Sequence, residues 1–155
     1  MSAATNLYAP SPSVLAAGRL TLKVAASTKI WGGTMVALNA SGYAVPASAT
    51  AGLKVVGRAF MAGSYNVDNT AGIDGALTVE VELSKGVRGG QWFAYDIDSG
   101  SPLTQALLLT DVFVADDHTV GASESNSIVA GTFMGFVKDN TGANITTKAW
   151  IRFAH

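Results

Sequence analysis

The chain contains no cysteine, and only 14% of its 155 residues are charged. The absence of cysteine excludes disulfides, thiolate metal ligands and cysteine nucleophiles, and it fits synthesis in a reducing cytoplasm. Ten basic and eleven acidic residues leave a formal net charge of −1, so no excess charge attracts nucleic acid or anionic lipid. We therefore expect neither a nucleic acid nor a membrane among the partners.

Long apolar runs are missing as well. Residues 1–18 lack the basic start and the apolar stretch of about 7–15 residues that mark a signal peptide. No stretch approaches the roughly 18 consecutive apolar residues of a membrane-spanning helix. Apolar residue types nevertheless make up 48% of the chain. Since charged residues are few, the surface must consist largely of small uncharged side chains, which suit close packing against another protein.

Residue patterns that carry catalysis are scarce. The only histidines are His118 and the C-terminal His155, there is no G-x-S-x-G, and residues 86–90 (GVRGG) lack the G-K-[ST] of a phosphate-binding loop. Asp116 and Asp117 directly precede His118, but adjacent residues in a tight turn rarely converge on one metal ion. A polar hairpin turn is the favoured interpretation, and we predict no catalytic residue, no metal site and no cofactor.

Two carboxylates, Glu80 and Glu82, leave one enzyme hypothesis open. They lie at i and i+2 on the polar face of a predicted strand, about 7 Å apart, which resembles the acid pair of a glycosidase. Neighbouring acids on an exposed strand face are more commonly solvent contacts or ion-pair partners. We favour the second interpretation.

The chain divides into an extended N-terminal arm, residues 1–17, and a single β domain, residues 18–155. Pro10 and Pro12 lie in a Ser/Ala-rich context without helical or alternating period, which is typical of an extended segment. The remaining length fits one ordinary domain.

Period-2 alternation of apolar and polar residues predicts most of the strands, most clearly at Leu20, Leu22 and Val24 and over residues 77–83. Turns are predicted at residues 27–33 and 66–75. The predicted strands cover residues 20–24, 34–38, 43–45, 53–61, 77–83, 91–95, 111–115, 128–137 and 147–153. Gly57 interrupts its strand and predicts a bulge or a close backbone approach.

Residues 101–110 (SPLTQALLLT) offer the single helical possibility, about two turns long, with Ser101 as the cap and Pro102 at the first helical position. The expected fold is therefore mainly β: a small antiparallel β-barrel or β-sandwich with one short helix and an extended N-terminal arm.

Several residues are candidates for contacts with other proteins. Tryptophan is enriched at interfaces, and among Trp31, Trp92 and Trp150 the first lies beside Gly32 and is the strongest candidate. Arg88 lies in the glycine-rich residues 86–90, and its guanidinium group suits recognition of a carboxylate on a partner. The complete predicted set of residues that contact a partner protein or another subunit is Leu7, Tyr8, Pro10, Pro12, Val14, Leu15, Trp31 and Arg88.

The order of three segments resembles that of the capsid cement, or head decoration, proteins of tailed bacteriophages. The segments are residues 42–57 (GYAVPASATAGLKVVG), 67–83 (VDNTAGIDGALTVEVEL) and 103–120 (LTQALLLTDVFVADDHTV). The closing stretches, residues 128–137 and 150–153, are similar to the final hairpin of that family. The likeness covers about residues 18–153 and rests on small-residue patterns; the arm is longer, and residues 101–114 are more apolar, than in other members.

This resemblance implies a non-enzymatic structural protein of the virion. It would be made in the host cytoplasm and added to the outside of an expanded capsid, with the major capsid protein as partner. It would bind as a homo-oligomer, a trimer being favoured and a dimer possible. Two alternatives stay open: another virion or cell-surface β module, such as a tail, fibre or adhesin domain, and a small β-barrel enzyme that uses Glu80 and Glu82.

Overall fold

A computed structural model describes residues 18–85 and 90–155, and over these ranges the protein consists of twelve strands. The strands are β1 Arg19–Lys23, β2 Thr28–Trp31, β3 Met35–Leu38, β4 Ala44–Pro46, β5 Lys54–Ala59, β6 Asn66–Asn69, β7 Thr78–Glu82, β8 Phe93–Ile97, β9 Asp111–Val114, β10 Thr119–Gly121, β11 Val129–Lys138 and β12 Asn144–Arg152. The prediction of a mainly β fold is confirmed. The predicted arm and Arg88 lie outside the described residues.

The first half of the chain forms a five-stranded sheet in the order β1-β7-β5-β3-β4, in which all the neighbouring strands are antiparallel. A parallel bridge between Val24 and Ala44 brings the end of β1 against β4, so the two edges of the sheet approach each other. The core that this curvature encloses includes Val24, Val79 and Val81, all fully buried.

The second half of the chain closes into a barrel in the order β10-β8-β12-β11-β9. The β8–β10 pair is parallel and the other pairs are antiparallel. Phe133 and Ile151 face each other across β11 and β12 and are fully buried inside it. Barrel and sandwich were both open from the sequence, and the barrel is found in this half.

The sheet and the barrel share one apolar core. Met35, Ala37 and Val55 belong to the sheet but pack in the same cluster as Phe93 and the other residues that fill the barrel. Alternate residues of β3 and β5, such as Val36, point the other way, into the core of the sheet. Because these two strands are buried on both faces, they contain apolar or small residues at nearly every position.

The predicted helix over residues 101–110 is wrong. The Ser101 hydroxyl exchanges two hydrogen bonds with the backbone of Ser123, at 2.8 and 2.9 Å, and caps nothing helical. Only Gln105–Leu107 forms a single 3-10 turn. Leu109 then adopts a φ of +64° and donates its backbone N–H to the Phe133 carbonyl at 2.8 Å. The segment satisfies its backbone by pairing with β11, and this pairing overrides its helical pattern.

Two predicted turns are also wrong in part. Residues 28–31 and 66–69 form β2 and β6, which pair with each other as a two-stranded antiparallel ribbon. The ribbon buries Ile30 and Val67 in the core of the sheet. Each of these strands was missed because it has few apolar residues. Lys29 and Asp68 occupy the outward positions and form an ion pair at 3.3 Å.

No helix within residues 18–85 and 90–155 is both long and apolar enough to cross a membrane.

Gly57 confirms the predicted bulge and close approach together. The register of β3 against β5 shifts between Val36 and Ala37, opposite Gly57. A side chain at this position would overlap the carbonyl oxygen of Glu82 and approach Val81 Cγ1 to 2.9 Å. Only glycine lets β7 lie this close to β5.

We expect Gly57→Ala to lower the free energy of unfolding by about 1–3 kcal/mol, because the added methyl group forces β5 and β7 apart. Urea denaturation measures the change. The control is Gly142→Asn, at a turn with a φ of +84° and open space around it, where Asn is tolerated and the change should stay within about 0.5 kcal/mol. Equal losses in the two variants would contradict this account.

Candidate functional site

Both strand glutamates of the enzyme hypothesis are in ion pairs. The guanidinium of Arg58 donates two hydrogen bonds to one carboxylate oxygen of Glu82, at 2.7 and 2.9 Å, and also lies 4.3 Å from the Phe93 ring centroid. Glu80 pairs with Arg19 at 3.7 Å. The interpretation as ion-pair partners is confirmed for both carboxylates.

The Asp116, Asp117 and His118 turn holds itself together with its own hydrogen bonds. Asp116 Oδ1 accepts the backbone N–H of His118 at 2.9 Å, and His118 Nδ1 lies 2.8 Å from Asp117 Oδ1. One potential ligand atom from each residue lies within 4.8 Å of the others, which also fits a metal site. The internal hydrogen bonds already account for this clustering, as expected for a polar hairpin turn.

The pKa of His118 is raised from its ordinary value. The main cause is the hydrogen bond with Asp117, and the negative charges of Asp116, Asp117 and Asp96 act in the same direction. The backbone of Asp117 connects the same turn to the sheet, since its carbonyl accepts the N–H of Met35 at 2.7 Å. The turn therefore lies at the boundary between barrel and sheet.

Trp31, the predicted interface residue that the structure describes, is 53% exposed at the end of β2. The ammonium group of Lys29 lies 4.1 Å from the centroid of its ring. Met61 is 65% exposed, and a Cβ at Gly33, two residues after Trp31, would lie 3.3 Å from its sulfur. Two large apolar side chains therefore stand in solvent in one region of the surface, the Trp31 patch. Such exposure is typical of contact surfaces.

Leu7, Tyr8, Pro10, Pro12, Val14 and Leu15, like Arg88, lie outside the described residues. Their assignment to an interface stays a prediction.

A second surface feature, the Trp groove, was not predicted. It is an open cavity of about 630 Å³ on the outside of the barrel. Its lining consists of Trp92, Gln105, Leu108, Met134, Gly135, Phe136, Val137, Lys138, Asn144 and Trp150. Trp92 is 48% exposed.

Strand register explains why the Trp groove exists. Trp150 pairs with Ala94 on one side and Gly135 on the other, so its indole ring stands between two positions with almost no side chain. The register of β11 also shifts between Phe133 and Gly135, which opens the surface there. The sequence contains a sign of this groove in the alternation along β12. Ala149 and Ile151 point inward, so Trp150 between them must point outward.

Polar groups surround the aromatic floor of the groove. Gln105, Lys138 and Asn144 are exposed at its border, and in the part of the chain that the structure describes neither amide side chain has a hydrogen-bond partner. The groove therefore combines aromatic rings on its floor with polar side chains at its border.

Comparison of the chain with protein-family models, with curated proteins and with solved structures finds no match.

We expect the pKa of His118 to lie above its ordinary 6.5, and Asp117→Asn to lower it, because a neutral amide oxygen accepts a weaker hydrogen bond and carries no negative charge. The stabilisation from charged His118 is fully present below 6.5 and is lost as the pH rises through the raised pKa. Because the side chain is largely exposed, this contribution stays below about 1 kcal/mol. Titration of the imidazole proton resonances by NMR measures the pKa. Asp96→Asn is the control, and a larger shift there than in Asp117→Asn would contradict the assignment.

Proposed function

We propose that the chain is a capsid cement protein: a structural virion protein that binds the outer surface of an expanded phage capsid and bridges its major capsid subunits. The observation that carries the proposal is the Trp31 patch, in which Trp31 at the end of β2 and Met61 just after β5 are exposed. The segment order of residues 18–153 supports it. In this role the protein has no turnover and needs no cofactor.

The chemistry of the surface suits such a partner. Charged residues are few and balanced in sign, so binding depends on apolar and shape complementarity more than on long-range attraction. Trp31 is the type of side chain that dominates interface energetics. The indole is held from one side by Lys29, itself paired with Asp68, which reduces the entropy lost when a partner covers the ring.

Binding to the expanded shell alone would stabilise that form by mass action. A homo-oligomer, with a trimer favoured and a dimer possible, would present several copies of the same patch to one lattice junction. Linked contacts of modest strength then act together. The arm residues Leu7, Tyr8, Pro10 and Pro12 would extend the contact beyond the β domain, as would Arg88.

We expect the protein to add density at symmetry-related positions on expanded, undecorated shells and to raise their rupture temperature. Trp31→Ala should weaken binding roughly 30-fold, as loss of a central tryptophan costs about 2 kcal/mol or more. Electron microscopy gives the occupancy, and thermal rupture gives the stabilisation. Trp92→Ala is the matched control, since it removes the same side chain from a different surface and should leave occupancy unchanged. Absence of wild-type binding to shells would refute the proposal.

The Trp groove supports a second candidate, a tail, fibre or adhesin module that binds a glycan. Sugar rings present C–H faces that stack on indole rings such as those of Trp92 and Trp150. The hydroxyl groups of a sugar need hydrogen-bond partners, which the side-chain amides of Gln105 and Asn144 can supply.

If the groove binds a glycan, a glycan array probed with the protein should give signals that Trp92→Ala abolishes and Trp31→Ala retains. The physical reason is that Trp92 lines the groove and Trp31 does not. An array without signal, together with binding to shells, would reject this second function. Array signals with no binding to shells would select it.

A further inference from the structure

The barrel closes along a seam between β8 and β10, a parallel ladder of only two residue pairs. Beyond the ladder, the carbonyl of Val120 accepts the N–H of Asp98 at 2.8 Å, and the carbonyl of Ser101 accepts the N–H of Ala122 at 3.0 Å. The Ser101 hydroxyl adds its two hydrogen bonds to Ser123. The seam therefore continues from the strands into the loops that follow them.

Glu124 places its carboxyl group against this seam. Its Oε1 is buried and has no hydrogen-bond partner among residues 18–85 and 90–155. A Cβ added to Gly121 would overlap this oxygen, so the carboxyl group packs directly on the backbone after β10. A buried carboxylate oxygen without a donor costs free energy, and protonation of the group removes much of that cost.

The neighbouring group is a second carboxylate. The side chain of Asp98 approaches that of Glu124 closely enough for a hydrogen bond. Two ionised carboxylates are both acceptors, so a hydrogen bond between them requires a proton on one of them. Burial, followed by the negative charge of Asp98, the hydrogen bond with Asp98 and the negative charge of Asp116, raises the pKa of Glu124.

No positive charge offsets this repulsion. The charged groups that face Glu124 are Asp98, after β8, and Asp116, in the turn between β9 and β10. Within the described ranges, neither Asp98 nor Glu124 takes part in an ion pair. Residues 39–53, which contact the loop that carries Glu124, contain no charged side chain. The positive groups on the neighbouring elements are engaged elsewhere, His118 with Asp117 and Lys148 with Asp96.

Residues 122–127, here called the Glu124 loop, also connect the barrel to the sheet. The side chain of Asn126 donates a hydrogen bond to the carbonyl of Ala49 at 2.6 Å. Asn126 and Ser127 have φ values of +61° and +48°, a region that residues other than glycine rarely adopt. Ile128 then enters the shared apolar core. A change in how firmly this loop is held therefore reaches both the seam and the junction of the two halves.

We propose that Glu124 and Asp98 form a carboxyl–carboxylate pair that fastens the Glu124 loop to the barrel seam while it holds one proton and releases the loop when that proton is lost. In the protonated pair, Glu124 donates a hydrogen bond to Asp98. When the proton leaves, two negative charges face each other beside a buried oxygen that has no donor. This inference goes beyond the proposed function and does not depend on it.

The pair gives stability a definite dependence on pH. Because the pKa of Glu124 is raised in the folded protein, the stabilisation is fully present below the ordinary value of 4.5. It is lost as the pH rises through the raised pKa.

We expect Glu124→Gln to raise the melting temperature at pH 8 by about 2–4 °C and to change it by less than about 1 °C at pH 4. The reason is that the amide has the shape of the protonated acid and donates to Asp98 at every pH. Differential scanning calorimetry measures both shifts. Glu80→Gln is the matched control: it removes the same charge beside Arg19 and should not raise the melting temperature at pH 8. Equal gains in the two variants, or a loss in Glu124→Gln at pH 8, would overturn the proposal.

NMR spectroscopy tests the pair and the loop directly. We expect the carboxyl carbon of Glu124 to titrate above 4.5, with a lower midpoint in Asp98→Asn. After correction for intrinsic exchange, the amides of Ala122 and Ser123 should lose protection roughly 5-fold or more between pH 5 and pH 8 in the wild type and keep it in Glu124→Gln. A wild-type midpoint at or below 4.5, or protection that is independent of pH, would overturn the proposal.

One further outcome would replace the proton by a metal ion. If calcium chloride stabilises the wild type at pH 8 and Glu124→Gln abolishes that effect, the pair is a cation site and the proposal is overturned. None of these measurements involves capsids, so failure of this inference is distinguishable from failure of the proposed function.

Discussion

The packing of the five-stranded sheet against the barrel is the interaction on which the rest of the structure depends. Met35, Ala37 and Val55 belong to strands of the sheet, but their side chains point into the barrel and complete its core around Phe93 and Phe153. Neither half buries these strands alone, because β3 and β5 are apolar on both faces. The two halves therefore stabilise each other, and surfaces on both are held in a fixed relation.

Buried polar groups at this junction are satisfied by partners from the opposite half. The hydroxyl of Tyr95 in the barrel donates to the Gly33 carbonyl at 3.3 Å, and burial raises the pKa of that hydroxyl. The backbone N–H of Phe153 donates to the buried Ser84 hydroxyl at 2.8 Å. Arg58 joins Glu82 of the sheet to the ring of Phe93. The hydrogen bonds of Tyr95 and Phe153 and the contact of Arg58 with the Phe93 ring form only while the halves are packed together, so the junction also specifies how they fit.

Because the two cores bury the inward faces of the strands, the exposed apolar residues lie outside them, on the surface. Trp31 stands on the β2–β6 ribbon, and the Trp groove lies on the outer face of the barrel. Leu109 is 65% exposed, and its backbone has a strained φ of +64°. Its hydrogen bond to the Phe133 carbonyl of β11 keeps it in this conformation. A scaffold of paired strands holds such groups in fixed positions relative to one another.

Alternation, turn residues and composition were enough to predict a mainly β chain, the strands around Val79, Phe133 and Ile151, the close approach at Gly57 and the ion-pair role of Glu82. These features depend on neighbouring residues or on the two faces of one strand. The ribbon, the loss of the helix before Leu109 and the Trp groove depended on tertiary structure. Each arises from backbone pairing between distant segments, and the register that places Trp150 between Ala94 and Gly135 is set only when the barrel closes.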